Sequence, residues 1–359
     1  MDDVEINDIR TKKDFRGITF SKYKKSEVHK ELLKNLYDGK IENSLNWSIE
    51  LICAGHYMDL WEIILLYTSK YIHSGNPKLP IYIDLRFQNF KDIVTSGYID
   101  NEIAMRNNTK IRKLFIEIIC ILCNSRKKHP FQIVKVKKEE YDMTNVKMKL
   151  KAKNVEYIKD VFEKDDPKEL FIALNELAYH VSRDSKNMIL ACYWIEWIIE
   201  YEANCKKKKE TLVCERRNYS CVHTDYQKDI IWIVWNIFLN ESKKKNNITQ
   251  KIIKSCMSLF ALRYMPGVKK KRRFILYYIV EVLTESIDLN INIISEKDKK
   301  QTSIIMNKMN LIYKQVKKNE IRPDTDYLFN NKITKSNTEK TIDKLDRMNN
   351  LTSFIPRSN

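Results

Sequence analysis

Four residues of types that commonly bind zinc lie within one short stretch of the chain. They are Cys205, Cys214, Cys221 and His223. Thiolate and imidazole ligands hold zinc tetrahedrally, so the residue types suit a structural metal site. Such sites usually present their ligands in closely spaced pairs, whereas the gaps here are eight, six and one residues. The spacing argues against zinc, and we predict that the protein has no metal and no other cofactor.

Residues suited to acid–base catalysis are scattered. His56 and His73 each lie near a predicted helix end, where histidines are usually structural. Acidic residues interrupt the apolar faces of predicted helices at Glu50, Glu62, Glu117, Glu196, Glu200 and Glu281. Carboxylates in such positions can act as an acid and base pair, but we expect each to bind one of the 65 basic residues instead. Phosphate-binding glycine loops and the Gly-x-Ser-x-Gly nucleophile motif are absent from the sequence, so we predict a non-enzyme. An enzyme with a site assembled from dispersed residues is an alternative.

Clusters of basic residues point more clearly to a function. The chain has a formal net charge of +18, which favours polyanionic partners such as nucleic acid. Near the N-terminus the cations alternate with Phe15, Phe20 and Tyr23, a mixture that suits phosphate contacts and base stacking. The densest cluster, 269–273, would serve equally well as a nuclear localisation signal or a solvated face. We predict nucleic-acid contacts by Lys12, Lys13, Arg16, Lys22, Lys24, Lys25, Arg126, Lys127, Lys128, Lys206, Lys207, Lys208, Lys209, Arg216, Arg217, Lys269, Lys270, Lys271, Arg272 and Arg273.

The elements that position these residues are predicted to be helices. Only 6 Gly and 7 Pro occur in 359 residues, too few for the tight turns of a β-rich fold. Ser26 is a predicted N-cap, and Gly39 and Gly55 are predicted helix ends. Asp166, followed by Pro167 and by Glu169 at the position of a capping-box acid, is the clearest predicted helix start. The fold class is therefore all-α.

The second half of the chain resembles the first in the order of its helices. KELLKNLY at 30–37 matches KELFIALN at 168–175, and the helix around Trp47 matches that around Trp194. We predict a tandem duplication of a four- to five-helix unit. The segments are a basic N-terminal arm at 1–25, repeat 1 at 26–131, a linker with possible short strands at 132–164, repeat 2 at 165–322 with an inserted basic loop at 203–228, and a polar tail at 323–359.

The sequence also predicts a location. No apolar segment at the N-terminus could serve as a signal peptide, and unbroken apolar runs such as 230–235 are far too short to span a membrane. Several of the 8 cysteines lie in apolar helical runs, as expected for reduced thiols. We expect a protein of the cytoplasm or nucleus that is not secreted.

Several segments resemble a protein family of large nucleocytoplasmic DNA viruses that infect algae and protists. The resemblance spans most of residues 18–290 and includes FSKYKKSEVHKELLKNLY, NWSIELICAGHYMDLWEIILLY, HSGNPKLPIY, RNNTKIRKLF, KDDPKELFIALNELAYHVS and ACYWIEWIIE. It implies a viral source, other viral proteins as partners, and a location in the host cytoplasm or nucleus, the viral factory or the virion. No chemistry is assigned to that family.

Residues 32–77 are also similar to the helical collar of clamp-loader-like AAA+ ATPases of the Werner-helicase-interacting type. The matching positions are Lys34-Asn35-Leu36, Asn46-Trp47, Ala54-Gly55 and Gly75-Asn76-Pro77. Leu65, Leu66 and Tyr67 replace the arginines of that family, which removes the enzymatic implication. The sequence therefore predicts a non-enzymatic viral accessory protein that binds nucleic acid in replication, transcription or packaging. The alternative is a structural or assembly protein, such as a virion or minor capsid component, that binds acidic protein partners.

Overall fold

Helices account for 61% of the residues that the computed structural model describes, which are 4–99, 101–141 and 143–321. No β-strand occurs among these residues, and Ile18 and Lys24 form one isolated bridge. The prediction of an all-α fold is confirmed. The α-helices are α1 (Lys25–Tyr37), α2 (Ile41–Cys53), α3 (Tyr57–Tyr67), α4 (Leu79–Thr95), α5 (Thr109–Asn124), α6 (Met143–Val146), α7 (Phe171–Val181), α8 (Met188–Lys207), α9 (Ile231–Ser242), α10 (Asn247–Phe260), α11 (Arg273–Thr284), α12 (Glu296–Asn307) and α13 (Met309–Lys317).

Other helical forms occupy shorter segments. A π-helix, Thr68–Ile72, continues α3 directly. The 3₁₀ turns are His73–Gly75, Glu102–Asn107, Lys138–Tyr141, Lys147–Lys149, Lys168–Leu170, Thr224–Tyr226 and Pro266–Val268.

The described residues belong to two compact units. Residues 4–6 and 11–319 form the first. Residues 7–10 and 320–321 belong to the second, in which the Ile9 amide donates to the carbonyl of Ile321 at 3.1 Å and the Ile321 amide donates to the Asp8 carboxylate at 2.9 Å. Burial by itself would raise the pKa of Asp8, but hydrogen bonds from the Arg10 side chain and from the amides of Ile321 and Arg10 outweigh it and hold the pKa below its usual value.

Large aromatic side chains fill the core of the first unit. Trp61, Trp194, Trp232 and Trp235 are at most 1% exposed. Trp232 and Trp235 both pack against Phe260 of α10, at ring-centroid distances of 6.0 and 5.3 Å. Edge-on and tilted contacts of this kind favour a single arrangement of the helices, because each ring fits its neighbours in few orientations.

Predicted helix ends agree with the structure where glycine is involved. Gly39 and Gly55 adopt φ values of +71° and +76°, in the left-handed region that a residue with a Cβ seldom enters. The predicted N-cap at Ser26 is wrong. The helix begins at Lys25, so Ser26 lies inside the first turn. The residue with extended backbone that precedes the helix is Lys24.

The predicted helix cap at Asp166 is also wrong, because its carboxylate binds elsewhere. A 3₁₀ turn follows Pro167, and α7 begins only at Phe171. The Asp166 carboxylate instead lies 2.6 Å from the guanidinium of Arg217 and accepts the amide of Glu215 at 3.0 Å. A buried arginine from a distant loop satisfies this carboxylate more fully than the free amides of a helix start would.

The predicted segments agree with the structure to different extents. The described residues of the linker, 132–141 and 143–164, contain short helical turns and no strands. The inserted loop 203–228 begins inside α8, which continues to Lys207. Helices α1–α5 fall in the first predicted repeat and α7–α13 in the second, and the duplication stays a prediction. The predicted tail, 323–359, lies outside the described residues.

Candidate nucleic-acid interface

The densest basic cluster, Lys269–Arg273, is largely turned inward. Lys269 is 2% exposed and its ammonium group lies between the carboxylates of Glu202 and Asp229, 2.7 Å from the latter. Lys270 is exposed and lies 2.6 Å from Glu200. A buried ammonium group neutralised in this way cannot meet a phosphate without taking the shared cation away from two buried carboxylates.

The two arginines of that cluster are buried as well. Arg272 pairs with Glu62 and donates to two backbone carbonyls at the C-terminal end of α10, at 2.6 and 2.7 Å. Arg273 lies 2.7 Å from Glu196, which also accepts the hydroxyl of Tyr277 at 2.8 Å. Within 269–273, therefore, only Lys270 and Lys271 face solvent, and the other three hold α11 to its neighbours.

The inserted loop likewise contains both buried and exposed basic residues. Arg217 is buried against Asp166, whereas Arg216 is exposed and donates to the side chain of Gln227 at 2.8 Å. Lys206 lies 2.8 Å from Glu202. Lys207, Lys208 and Lys209 are exposed at the end of α8 and just beyond it.

Residues 11–25 of the N-terminal arm are packed against the helices. Phe15 and Phe20 are fully buried and cannot stack on bases, contrary to the sequence prediction, whereas Tyr23 is 48% exposed. The buried carboxylate of Glu50 accepts the Thr19 hydroxyl at 3.0 Å and the Ser21 amide at 2.8 Å, which fixes the turn before α1. The predicted cations of the arm that remain exposed are Lys12, Lys13, Arg16, Lys22 and Lys24, of which Lys12 lies 2.6 Å from Glu102. Lys25 is half-buried, 3.0 Å from Asp59.

The four zinc-type residues do not converge. Cys205 and Cys214 are buried, Cys221 and His223 are exposed, and no group of three or more metal-binding side chains occurs in residues 4–99, 101–141 and 143–321. The Cys214 thiol donates to the carbonyl of Asp229 at 3.3 Å. Burial raises the pKa of this thiol to about 12, so the metal-free thiol is protonated at neutral pH.

Five of the six glutamates considered for a catalytic pair, all except Glu50, contact separate basic side chains. Besides those already described, Glu117 lies 2.8 Å from Arg86, and Glu281 lies 3.0 Å from the Nδ1 atom of His73. The Nε2 atom of His56 contacts the carbonyl of Ile18 at 2.7 Å. Glu50 differs from the sequence prediction, because its carboxylate accepts hydroxyl and amide groups of Thr19 and Ser21.

The basic run Arg126–Lys128 is placed quite differently, in a short segment that we call the basic loop (residues 126–131). Two hydrogen bonds join this loop to the π-helix, from the Lys128 amide to the Tyr71 carbonyl at 2.8 Å and from the Phe131 amide to the Lys70 carbonyl at 3.1 Å. Arg126 and Lys128 are exposed. The backbone is thus fixed while both cationic side chains remain free to meet a ligand.

Beneath the basic loop lies a buried polar cluster. The His73 ring stacks on Phe131 at a centroid distance of 4.1 Å, and its Nε2 atom lies 3.1 Å from the carbonyl oxygen of His129. Glu281, which faces the other ring nitrogen of His73, also accepts the Ser74 hydroxyl at 2.6 Å. These contacts tie the loop to α11.

The π-helix before His73 explains how two further residues reach this surface. Lys70 and Tyr71 are half-buried, and His73 has φ +31°, a strained value for a residue with a side chain. π-Helical turns and strained residues are concentrated at functional sites, because the surrounding structure must stabilise them. The sequence marked only the helix break that follows, 74–77.

Two tyrosines complete the surface. Tyr37, at the end of α1 and 48% exposed, lies edge-on to Tyr71 at 5.8 Å. Tyr71 in turn stacks on the buried ring of Tyr67 at 5.3 Å, and the Lys70 ammonium group lies 5.3 Å from the Tyr71 ring. We call the group formed by Tyr37, Lys70, Tyr71, Arg126 and Lys128 the basic–aromatic surface.

Lys127 has a supporting role within the loop. Its ammonium group donates to the Cys123 carbonyl at 2.5 Å and packs close to Gly39, in the turn between α1 and α2. Burial lowers the pKa of Lys127. Of the three predicted cations 126–128, two are therefore presented to solvent and one joins the loop to that turn.

No protein-family model, curated protein or solved structure matches the chain. No helix among the described residues is both long enough and apolar enough to cross a bilayer.

Proposed function

We propose that the protein is a non-enzymatic accessory protein that binds nucleic acid through the basic–aromatic surface. The supporting observation is that Tyr71 contacts the exposed ring of Tyr37 and the Lys70 ammonium group, while its carbonyl accepts the Lys128 amide of the loop that carries the exposed Arg126 and Lys128. Cations attract phosphates and aromatic faces accept bases, so the combination suits nucleic acid better than an acidic protein. Asp38, the acid next to Tyr37, is paired with Lys40 at 3.2 Å.

The setting that we propose follows from the viral resemblance of the sequence. A large DNA virus needs nucleic-acid-binding accessory proteins in replication, transcription and packaging, and other viral proteins would be partners there. Exposed cations elsewhere, including Lys13, Arg16 and Lys207–Lys209, would add affinity without sequence preference.

Salt dependence of binding tests this function. Fluorescence anisotropy with labelled single-stranded and double-stranded 20-mers, at graded salt concentrations, gives the number of phosphates contacted. The double variant Arg126→Ala/Lys128→Ala should lower the slope of log affinity against log salt by about 1.4–1.8, since each lost phosphate contact removes about 0.7–0.9. The matched control, Lys251→Ala/Lys254→Ala, removes the same charge from the exposed face of α10. Absence of binding at low salt, or an equal loss in both double variants, would contradict the proposal.

A groove favours the second candidate function, a structural or assembly protein. It has a volume of about 850 Å³, lies between α2 and the pair α12 and α13, and is lined by Trp47, Ile304 and Leu311 among others. Ile304 of α12 and Leu311 of α13 are 56% and 60% exposed, so the groove presents apolar side chains to solvent. If this candidate is correct, the protein should be found in purified virus particles.

A further inference from the structure

We propose that the nucleic acid is single-stranded and lies along the exposed face of α1, with its bases stacked at an aromatic pair near each end of that helix. This inference rests on the proposed function and adds the form of the ligand and its path. One pair, Tyr37 and Tyr71, belongs to the basic–aromatic surface. The other is Tyr23 and Trp47.

The pair Tyr23–Trp47 has the same construction as the first. The two rings lie edge-on at 5.4 Å, with Tyr23 48% exposed and Trp47 half-buried. Exposed lysines, Lys22 and Lys24, flank Tyr23 on both sides. Each aromatic pair thus offers a ring face for a base and ammonium groups for the adjoining phosphates.

A fixed turn holds Tyr23 in place. The Thr19 amide donates to the Tyr23 carbonyl at 2.9 Å, and the Lys22 amide donates to the Thr19 carbonyl at 3.0 Å. Lys22 adopts φ +67°, so the turn is held in a conformation that an unconstrained lysine would avoid. The buried Glu50 anchors this turn through Thr19, as described above. Ring positions fixed in advance lose little entropy when a base stacks on them.

The exposed face of α1 supplies cations between the two pairs. Lys30 and Lys34 are exposed and lie one turn apart, and Tyr37 follows on the same face three residues later. From Tyr23 to Tyr37 the path is about 20 Å at the rise of an α-helix, a length of a few nucleotides. The acid exposed on this face, Glu27, lies 3.8 Å from Lys24.

Single strands fit this arrangement better than a duplex does. Ring faces can stack only on bases that have left their own stack, and those of a duplex are covered by neighbouring base pairs. Duplex binding would engage the lysines but not the four rings. Variants of the rings therefore test whether the ligand is single-stranded, separately from the contribution of its charge.

The first measurement compares affinities of the intact chain and its variants for a labelled 12-mer DNA, the same sequence as RNA, and the annealed DNA duplex. Tyr37→Leu and Tyr23→Leu should each weaken single-strand binding by at least about fivefold and leave duplex binding unchanged. Tyr37→Phe and Tyr23→Phe keep the ring and are the matched controls, with affinities expected within about twofold of the wild type. Circular dichroism and thermal unfolding establish that the leucine variants fold. The ratio of DNA to RNA affinity identifies the source of the strand.

The second measurement uses the tryptophans as reporters. Five of the six, Trp61, Trp194, Trp197, Trp232 and Trp235, are at most 2% exposed, whereas Trp47 is half-buried in the proposed path. Stacking of a base on the Tyr23–Trp47 pair should quench the fluorescence of Trp47 alone. Single strands should therefore quench the wild-type emission and leave that of Trp47→Phe unchanged.

The outcomes separate this inference from the function on which it rests. Selective loss of single-strand affinity in the leucine variants, together with quenching that requires Trp47, supports it. Equal binding of duplex and single strands, with no effect of either leucine variant, overturns the single-strand path and leaves the proposed function standing. Absence of binding to all three probes at low salt overturns both.

Discussion

His73 and Glu281 lie 208 positions apart in the chain, yet their imidazole and carboxylate groups are 3.0 Å apart inside the protein. The other ring nitrogen of His73 faces the carbonyl oxygen of His129 at 3.1 Å. The histidine therefore connects α11 to the basic loop, and the exposed cations of that loop depend on a pair buried beneath them.

Removal of the Glu281 carboxylate should destabilise the folded protein. Glu281→Ala should lower the free energy of unfolding by about 3–5 kcal/mol, because His73 and the Ser74 hydroxyl would both lose a buried partner. Urea denaturation followed by circular dichroism measures the change. Glu285→Ala removes an exposed carboxylate directly after the same helix and should change stability by less than about 0.5 kcal/mol. Similar values for the two variants would contradict a structural role for the His73–Glu281 pair.

Gly75 should be intolerant of even one methyl group. A Cβ at this position would overlap the backbone carbonyl of Arg126, so Gly75→Ala must displace the basic loop. We expect a destabilisation of about 1–3 kcal/mol and faster proteolysis near Arg126. Gly267→Ala is the control, since a Cβ there meets no atom within 4 Å. Equal melting temperatures for the two variants would show that the loop can move aside without cost.

Lys269 and Lys270 should differ sharply although they are neighbours. Lys269→Met leaves Glu202 and Asp229 buried without their shared cation and should cost about 3–5 kcal/mol. Lys270→Met removes an exposed partner of Glu200 and should cost less than about 1 kcal/mol. Thermal unfolding gives both values. A mild effect of Lys269→Met would mean that this lysine is available to ligands after all.

Acid should weaken the attachment of the linker to α7. Burial by itself would raise the pKa of Glu176, but hydrogen bonds from His180 and from the amides of Lys151 and Ala152 outweigh it and hold the pKa below the usual 4.5. A lowered folded-state pKa contributes stability above the unfolded-state value, and the contribution is lost as the pH falls through the folded-state value.

Glu176→Gln tests this pH dependence. The difference in unfolding free energy between the wild type and the variant should be largest at pH 6 and shrink below about pH 4.5. Glu156→Gln, at an exposed position of the same linker, should change stability by less than about 0.5 kcal/mol at pH 6. A difference for Glu176→Gln that stays constant down to pH 3 would rule out the carboxylate as its source.

The all-α fold class and several helix ends could be predicted because they depend on local properties of the sequence. Scarce glycine and proline indicated helices, and the left-handed conformation at Gly39 and Gly55 is one that glycine adopts without strain. The cap at Ser26 was predicted wrongly because α1 begins one residue earlier, at Lys25, and the cap at Asp166 because another part of the chain offers a better partner. Arg217, 51 positions from Asp166, is that partner.

The candidate site was only partly predictable. Arg126 and Lys128 were predicted as ligand contacts and are exposed, but Lys269, Arg272 and Arg273 had the same appearance in the sequence and are buried. A run of charges does not reveal where the opposing carboxylates lie. Those come from Glu202, Asp229, Glu62 and Glu196, on other helices and loops.

By itself the sequence determined that the chain is helical and strongly basic, since these properties follow from composition and short-range periodicity. Only the tertiary structure decided which cations neutralise buried acids and which remain at the surface. It also placed Tyr37 beside Tyr71 and the basic loop, because a π-helix and a buried histidine–glutamate pair join segments that are far apart in the chain. The cost of desolvation explains which cations are buried, because a cation can leave water only where carboxylates and carbonyls from several elements surround it.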